Sequence, residues 1–196
     1  VEVIGEGAAG IVLRGEQDHP VCRTAAIKLL RPGLDSETFL RRFGLERQLL
    51  AQLRHPAIVQ LLEAGVDENG RPWFAMEYVD GAPLLKFAAA RGLDRDERLR
   101  LFADVCDAIV HAHARDVIHR DLSPANILAT EIDGQFRAKV IDFGVGKALG
   151  EASLVTGAGE LLGTLRYGSP EQLSGRAAEV DKRSDVFSLG AILYEL

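Results

Sequence analysis

Cysteine is scarce in this sequence, and no metal-binding cysteine pattern is present. The 196 residues include two cysteines, and Cys22 lies too far from Cys106 for the Cys-x-x-Cys spacing of zinc and redox sites. Neither thiol calls for an oxidising compartment, which favours the cytosol. Cys106 falls on the apolar side of a predicted helix, so we expect it to be a buried structural thiol.

Long apolar runs and an excess of basic residues are also missing. No stretch approaches roughly 18 uninterrupted apolar residues, and no signal peptide opens the chain. We therefore expect a cytoplasmic location, with membrane attachment only through segments outside this chain. The formal net charge of −6 argues against nucleic acid as a partner. The hydrophobic content of 47 % is enough for a sizeable core.

The most informative stretch places a carboxylate and a carboxamide on one short segment. Asp121 and Asn126 follow an amphipathic helix and precede an apolar run. Pro124 between them rules out a continuing helix, because proline fixes φ and disfavours the α region for the preceding residue. Asp142 then follows strand-like residues 138–141. Together they form a candidate set of one proton acceptor and two oxygen ligands for Mg²⁺.

A second motif is a glycine-rich turn between two predicted strands, 1–4 and 11–13. It reads Gly-x-Gly-x-x-Gly-x-Val and comprises Gly5, Gly7, Gly10 and Val12. A dinucleotide-binding site would have a helix after such glycines, whereas β-branched residues and a further strand at 25–30 follow here. The motif predicts a phosphate-covering loop, with a flexible hairpin as the alternative.

Lys28 ends a short apolar strand and has a predicted partner in the next helix. Glu46 shares a helical face with four large apolar residues, Phe39, Phe43, Leu50 and Leu53. A charge on such a face is costly unless it is paired. We therefore predict a Lys28–Glu46 ion pair, the alternative being a lysine at the surface.

A long helix and two turns are predicted farther along the chain. The helix carries an apolar stripe comprising Leu99, Phe102, Ala103, Cys106, Ile109, Val110 and His113. His111 and His113 are interpreted as packing or surface histidines. Asn69-Gly70 and Asp133-Gly134 predict hairpin turns. In the last helix Asp185 shares a face with apolar residues, so we expect a buried, capping-type carboxylate.

In combination these motifs resemble those of the protein kinases. His-Arg-Asp-Leu-x-x-x-Asn at 119–126 precedes Asp-Phe-Gly at 142–144, and Gly-Thr-x-x-Tyr-x-Ser-Pro-Glu follows at 163–171. The sequence is most similar to eukaryotic-type Ser/Thr kinases, which bacteria also carry. The resemblance implies an α+β, two-lobed fold. It has a small antiparallel β lobe with one helix over residues 1–80 and a mostly helical, truncated large lobe over 81–196.

The resemblance also implies transfer of the γ-phosphoryl group of ATP to Ser/Thr hydroxyls of proteins, with Mg²⁺. Asp121 would accept or orient the hydroxyl proton, Lys28 held by Glu46 would grip the phosphates, and Asn126 and Asp142 would hold the metal. Met76 would limit the adenine pocket, and the backbone near Glu77 would bind adenine. The full implied ATP-binding set is Gly5, Gly7, Gly10, Val12, Ala26, Lys28, Met76, Glu77, Val79 and Leu128.

Regulation is expected in residues 145–162, which correspond to the activation segment of the family. A phosphate on Ser153 or Thr156 would be received by Arg120 and Lys147, and a dimer would allow trans-autophosphorylation. The resemblance further implies that His119 packs beneath Phe143 and that Asp185 braces the catalytic loop.

Two departures from the family pattern stand out. Ser123 occupies the position where Ser/Thr kinases usually have lysine, which removes a cation near the γ-phosphate. The chain stops at Leu196 inside a central helix, and we expect a fragment of a larger protein that is a poor enzyme on its own.

Three alternatives compete with the kinase interpretation. An aminoglycoside-type small-molecule phosphotransferase shares the Asp-x4-Asn loop but usually lacks the glycine motif and the 163–171 segment. A pseudokinase scaffold predicts loss of Lys28, Asp121, Asn126 or Asp142, and all four are present. A Rossmann-type binding protein is excluded by the strand that follows the glycines.

Overall fold

The computed structural model describes residues 1–7, 10–19, 22–30, 48, 50–143 and 166–196. Within them the chain divides into two compact units. The first holds the described residues up to Arg54 together with Val59–Val79, and the second holds His55–Ile58 and the described residues from Asp80 onward. That these units correspond to the lobes expected at 1–80 and 81–196 remains a prediction. None of the helices in the described ranges is long and apolar enough to cross a membrane.

The first unit contains a five-stranded antiparallel sheet with the order β1-β2-β3-β5-β4. The strands are β1 Glu2–Gly7, β2 Gly10–Gln17, β3 Arg23–Leu30, β4 Leu61–Val66 and β5 Pro72–Glu77. Its core is built on Leu30 and Phe74, each 2 % exposed. The predicted turn at Asn69-Gly70 is confirmed, because Gly70 has a φ of 76° and its N–H donates to the carbonyl of Asp67 (3.0 Å). Glycine reaches this conformation without steric cost.

The second unit combines a small sheet with helices. Its strands are β6 Ala82–Pro83, β7 Ile127–Ile132 and β8 Gln135–Val140. Its α-helices are α1 Leu84–Ala90, α2 Arg95–His113, α3 Pro170–Leu173 and α4 Lys182–Glu195, with 3-10 turns at Pro124–Asn126 and Ala177–Glu179. Asp133 and Gly134 have φ values of 52° and 73°, so the predicted β7–β8 hairpin turn is confirmed.

Helix α2 begins at a capping box and buries a different face from the one that its sequence predicted. Asp94 accepts a hydrogen bond from the N–H of Glu97 (2.8 Å), and the Glu97 carboxylate accepts one from the N–H of Asp94 (2.9 Å). Its buried side chains are Leu101, Val105, Ala108, Ile109 and Ala112.

The predicted stripe on α2 was therefore only partly right, because Phe102, Cys106 and His113 are half-buried and Ala103 is exposed. Ile109 is buried, whereas Leu99 is 42 % and Val110 is 67 % exposed. The helix is apolar on more than one side, and its packing against β8 and α4 selects the buried face. Cys106 is half-buried, and this burial, followed by the charge of Asp107, raises the pKa of its thiol.

Candidate active site

The structure brings Asp121 and Asn126 together on a short loop in the second unit. Pro124–Asn126 forms a single 3-10 turn, in which the N–H of Asn126 donates to the carbonyl of Ser123 (3.0 Å). The side-chain amide of Asn126 donates to the backbone oxygen (2.7 Å) and the carboxylate (3.2 Å) of Asp121. The loop is rigid because proline fixes its first φ and the side chain of Asn126 closes it.

The residue before Asp142 is hydrogen-bonded to this loop. The N–H of Ile141 donates to the carbonyl of Asn126 (2.9 Å), so the two predicted metal ligands are joined through one hydrogen bond and one peptide unit. Asp142 has a φ of 56°, a left-handed conformation that aspartate and asparagine adopt more readily than most residues.

The donor chemistry of Asn126 and Asp142 fits a hard divalent cation. Because the nitrogen of the Asn126 carboxamide is committed to Asp121, its oxygen is the end that remains for a metal. Carboxylate and carboxamide oxygens are the ligands that Mg²⁺ accepts. In the part of the chain that the structure describes, no three His, Cys, Asp or Glu side chains form a metal-binding group, so this pair is the candidate there.

The buried carboxylate of Asp185 braces the backbone that precedes Asp121, as predicted. Asp185 has no exposed surface, and it accepts hydrogen bonds from the N–H of His119 (2.8 Å) and the N–H of Arg120 (2.9 Å). The Nε2 of His113 lies 2.7 Å from the same carboxylate. Burying a carboxylate is costly unless donors surround it, and here the donors come from the backbone of residues 119–120 and from α2.

Arg120 has an uncommon backbone conformation, and hydrogen bonds to its N–H and to its carbonyl hold it there. Its φ is 64°, which costs a non-glycine residue about 1–2 kcal/mol. Its N–H is bound by Asp185, and its carbonyl accepts from Nε2 of Gln172 (2.6 Å). These two anchors hold the conformation immediately before Asp121.

Two residues of this scaffold were missed from the sequence. His113 was interpreted as a packing or surface residue but binds Asp185, and no local pattern indicates that partner. Gln172 could have been found, because Ser169-Pro170-Glu171-Gln172 has the spacing of a capping box. In the structure the N–H of Ser169 donates to Oε1 of Gln172 (3.0 Å), which orients the other end of that amide toward Arg120.

His119 is a buried neutral histidine that joins Asp121 to Ile141. Its Nε2 donates to the carbonyl of Ile141 (3.0 Å), and its Nδ1 accepts from the N–H of Asp121 (3.3 Å). Burial lowers the pKa of His119, although Asp185 opposes the shift. Its ring lies 4.7 Å from that of Phe143, so the expected packing of these two rings is confirmed.

Residues 166–173 are tied to helix α4 through two carboxylates. The hydroxyl of Ser184 donates to Glu171, and this hydrogen bond lowers the pKa of that carboxyl group. The hydroxyl of Tyr167 donates to Glu195. Burial, followed by this carboxylate, raises the pKa of Tyr167 to about 12.

In the first unit the strand register places four predicted ATP-binding residues on one face of the sheet. Lys28 pairs with Val12 of β2, and Ala26 pairs with Met76 of β5. Directly paired residues share a face, as do residues two apart on one strand. The structure therefore groups Val12, Ala26, Lys28 and Met76.

The remaining predicted residues are placed in both units or lie outside the described ranges. The N–H of Glu77 donates to the carbonyl of Gln60 (2.9 Å), so an adenine contact by Glu77 would have to use its carbonyl group. Val79 follows β5 in the first unit, and Leu128 lies on β7 in the second. Glu46, Gly144, Lys147, Ser153, Thr156, Gly163 and Thr164 lie outside the described residues.

The glycine motif allows a stability prediction with an internal control. Gly5 pairs with Val12 and Gly7 with Gly10 across β1 and β2. Gly10 has a φ of 151°, and an added Cβ would overlap the carbonyl group of Leu29, whereas a Cβ at Gly7 would meet no atom within 4 Å. We expect Gly10→Ala to lower the stability of the first unit by about 3 kcal/mol and Gly7→Ala to change it by less than about 0.5 kcal/mol. Thermal unfolding of the two variants tests this prediction. Equal Tm values for Gly10→Ala and Gly7→Ala would contradict it.

Comparison with known proteins places these features in a family. The family model described as "Protein kinase domain" matches residues 1–196. Serine/threonine-protein kinase PknB of Mycobacterium leprae is 39 % identical over 185 residues, covering 92 % of this chain and 29 % of the relative. Serine/threonine-protein kinase PrkC of Bacillus subtilis is 38 % identical over 198 residues, covering 100 % and 29 %.

A solved structure agrees with the sequence relatives. The kinase domain of Mycobacterium tuberculosis PknI, as a double mutant, matches with a TM-score of 0.76 and 32 % identity, covering 100 % of this chain and 73 % of that one. The predicted two-lobed α+β kinase fold is thereby confirmed. The chain spans less than a third of the length of these curated relatives. It belongs to the protein kinase domain family and is homologous to bacterial serine/threonine-protein kinases.

Proposed function

We propose that this chain is the catalytic domain of a protein kinase that transfers the γ-phosphoryl group of ATP to serine or threonine hydroxyls of proteins. Membership of the family implies the use of ATP and a divalent metal ion, and protein substrates. The observation that carries the proposal is the hydrogen-bonded group of Asp121, Asn126 and Ile141. It holds the proposed base, Asp121, close to the proposed metal ligand Asn126.

Each side chain has a role that follows from its surroundings. Asp121 is held by Asn126 so that its carboxylate accepts or orients the proton of the substrate hydroxyl. Asn126 and Asp142 would hold Mg²⁺, which when bound supplies charge neutralisation at the transferring phosphoryl group. Lys28 would contact the phosphates, and its pairing with Glu46 is part of the proposal. The γ-phosphoryl group passes directly from ATP to the hydroxyl oxygen, so catalysis rests on positioning and on charge, without a covalent enzyme intermediate.

Ser123 replaces the lysine that Ser/Thr kinases usually carry and defines how this loop differs. It is 3 % exposed and extended, and its carbonyl starts the turn at Pro124. Ser123 thus takes part in the turn through its backbone, and its side chain supplies no cation at this position. Regulation by phosphorylation of Ser153 or Thr156, and a dimer for trans-autophosphorylation, belong to the same proposal.

The direct test is incubation of the full-length protein with labelled ATP, Mg²⁺ and generic protein substrates, with an aminoglycoside in a parallel reaction. Labelling of protein that is lost when EDTA removes the metal ion supports the proposal. Label on the aminoglycoside alone would favour the small-molecule phosphotransferase. Absence of transfer to any acceptor, with ATP bound, would favour a pseudokinase scaffold.

The acceptor type is a separate prediction. Tyr167 and the preceding Gly163-Thr164 match the Ser/Thr pattern, in which the threonine also bonds the catalytic aspartate. We therefore expect phosphoserine and phosphothreonine to dominate the hydrolysed product, with phosphotyrosine below about a tenth of the total. Phosphoamino-acid analysis measures this ratio, and a product that is mainly phosphotyrosine would contradict the prediction.

A further inference from the structure

The imidazole rings of His55 and His111 lie against each other in the second unit. Their centroids are 5.0 Å apart, and their planes are inclined by 42°. His111 lies in the last turn of α2, and His55 begins the segment 55–58. Neither histidine takes part in the proposed phosphotransfer.

The Nε2 atom of His111 is buried and finds no hydrogen-bond partner among the residues that the structure describes. Protonation would turn this atom into a buried cationic donor, which costs more than a buried neutral nitrogen. Two groups would oppose that proton, Arg115 in the turn just after α2 and His55 on the neighbouring segment. Burial, then Arg115, then His55 lower the pKa of His111.

Two charged groups on elements that pack against α2, one on β8 and one on α4, have partners other than His111. From β8, Arg137 approaches Asp104 (3.8 Å). From α4, Asp185 binds His113 (2.7 Å). Among the described residues, the groups that shift the pKa of His111 are Arg115 and His55, and neither is a carboxylate.

His55 is the first link in a series of hydrogen bonds that reaches the catalytic loop. Its Nδ1 accepts from the N–H of Ala57 (3.2 Å). The carbonyl of Ala57 accepts from the N–H of Val140 (2.8 Å), and Ile58 forms a parallel bridge with Val140. The next residue, Ile141, donates to Asn126. The series therefore starts at the ring of His55, which lies against the ring of His111.

We propose that His55 and His111 form an acid-sensitive joint, which holds segment 55–58 against α2 while His111 is neutral and releases it when His111 takes up a proton. Release weakens the hydrogen bond between Ala57 and Val140, and with it the backbone that carries Asp142. A fall in phosphotransfer under mildly acidic conditions follows, and this last step rests on the proposed function.

The direction of the pH effect follows from proton linkage. The pKa of His111 is lower in the folded protein than in the unfolded chain, so the unfolded chain binds the proton first as the pH falls. The stabilising contribution is complete above about pH 6.5 and is lost as the pH falls from there toward the folded pKa. The pKa of His119 is also lowered in the folded protein, so His119 adds its own loss of stability as the pH falls. The test therefore compares proteins that differ only at the joint, in which the contribution of His119 is the same.

The test is hydrogen–deuterium exchange of the full-length protein, followed on a peptide covering residues 136–143 at about pH 7.5 and about pH 5.5. Protection factors are corrected for intrinsic exchange rates. We expect protection to fall about tenfold more in the wild type than in His111→Phe, which keeps the ring contact but cannot titrate. His19→Gln, in the first unit, is the matched control and should behave as the wild type.

A second variant leaves the buried ring in place. Arg115→Gln removes the cation beside His111, so the loss of protection should become smaller and its midpoint should move to higher pH. Equal losses in wild type, His111→Phe and Arg115→Gln would overturn the joint. A rise in protection with Zn²⁺ at about pH 7.5, absent from His111→Phe, would instead identify a metal site and also overturn it.

Phosphotransfer is measured on the same samples. A steeper acid loss in the wild type than in His111→Phe supports the link to activity, and identical profiles overturn that link. Absence of activity in every protein at every pH would be a failure of the proposed function, and the exchange data would then decide the joint alone.

Discussion

Replacing Asp142 by asparagine is expected to lower the rate of phosphotransfer by about 10²–10³-fold or more while leaving the fold intact. The substitution removes the negative charge from one of the two proposed metal ligands, and a preorganised electrostatic group of this kind is worth about that factor. The backbone should tolerate it, because Asp142 has a φ of 56° and asparagine adopts this left-handed conformation as readily as aspartate.

Asp133→Asn is the matched control for this experiment. Asp133 has nearly the same φ, 52°, but lies in the β7–β8 turn, where Asn-Gly is a favoured turn sequence. Initial rates with labelled ATP and Tm values should show a loss of activity for Asp142→Asn alone, with both Tm values close to that of the wild type. A wild-type rate in Asp142→Asn would show that the metal assignment is wrong.

Lys28→Met should also abolish phosphotransfer in the same assay.

Removing the carboxylate of Asp185 is expected to cause the largest loss of stability. Asp185→Ala would leave the buried donors of His119, Arg120 and His113 without their shared acceptor. Breaking a buried charged group of this kind costs about 3–5 kcal/mol, which corresponds to a fall in Tm on the order of 10 °C for a domain of this size. Asp185→Asn keeps one acceptor oxygen and should lie between the alanine variant and the wild type.

The control for Asp185 is Asp107→Ala, a change at an exposed aspartate on α2. Its effect on the free energy of unfolding should stay within about 0.5 kcal/mol. Thermal unfolding measures both variants. Activity assayed at a temperature where Asp185→Ala is still folded should also be reduced, because Arg120 loses the anchor that holds its φ of 64°. A Tm for Asp185→Ala within a degree or so of the wild type would contradict the bracing role.

Features that depend on residues close together in the chain were predictable. Pro124 between Asp121 and Asn126 dictates a turn, because the ring fixes φ whatever surrounds it. Asp133-Gly134 dictates a hairpin turn for the same kind of local reason. The motif order was enough to identify the family, since each motif is a local arrangement that the chemistry of phosphate transfer requires.

Features that depend on which surfaces meet could not be read from the chain. The stripe predicted on α2 was only partly right because the helix offers more than one apolar side, and its packing against β8 and α4 selects among them. Val110 shows this most clearly, since it fits the periodicity yet is 67 % exposed.

The hydrogen-bond partners of the loop around Asp121 also could not be predicted from the chain. Asp185 lies 66 residues from His119 and 72 from His113, and helical periodicity predicted that it is buried but not that His113 binds it. Local propensity and spacing act over a few residues, so the chain alone specified the turns, the motifs and therefore the family. The pairing of distant polar groups depends on how buried helices and strands pack, and that packing placed His113, Gln172 and the two rings of His55 and His111.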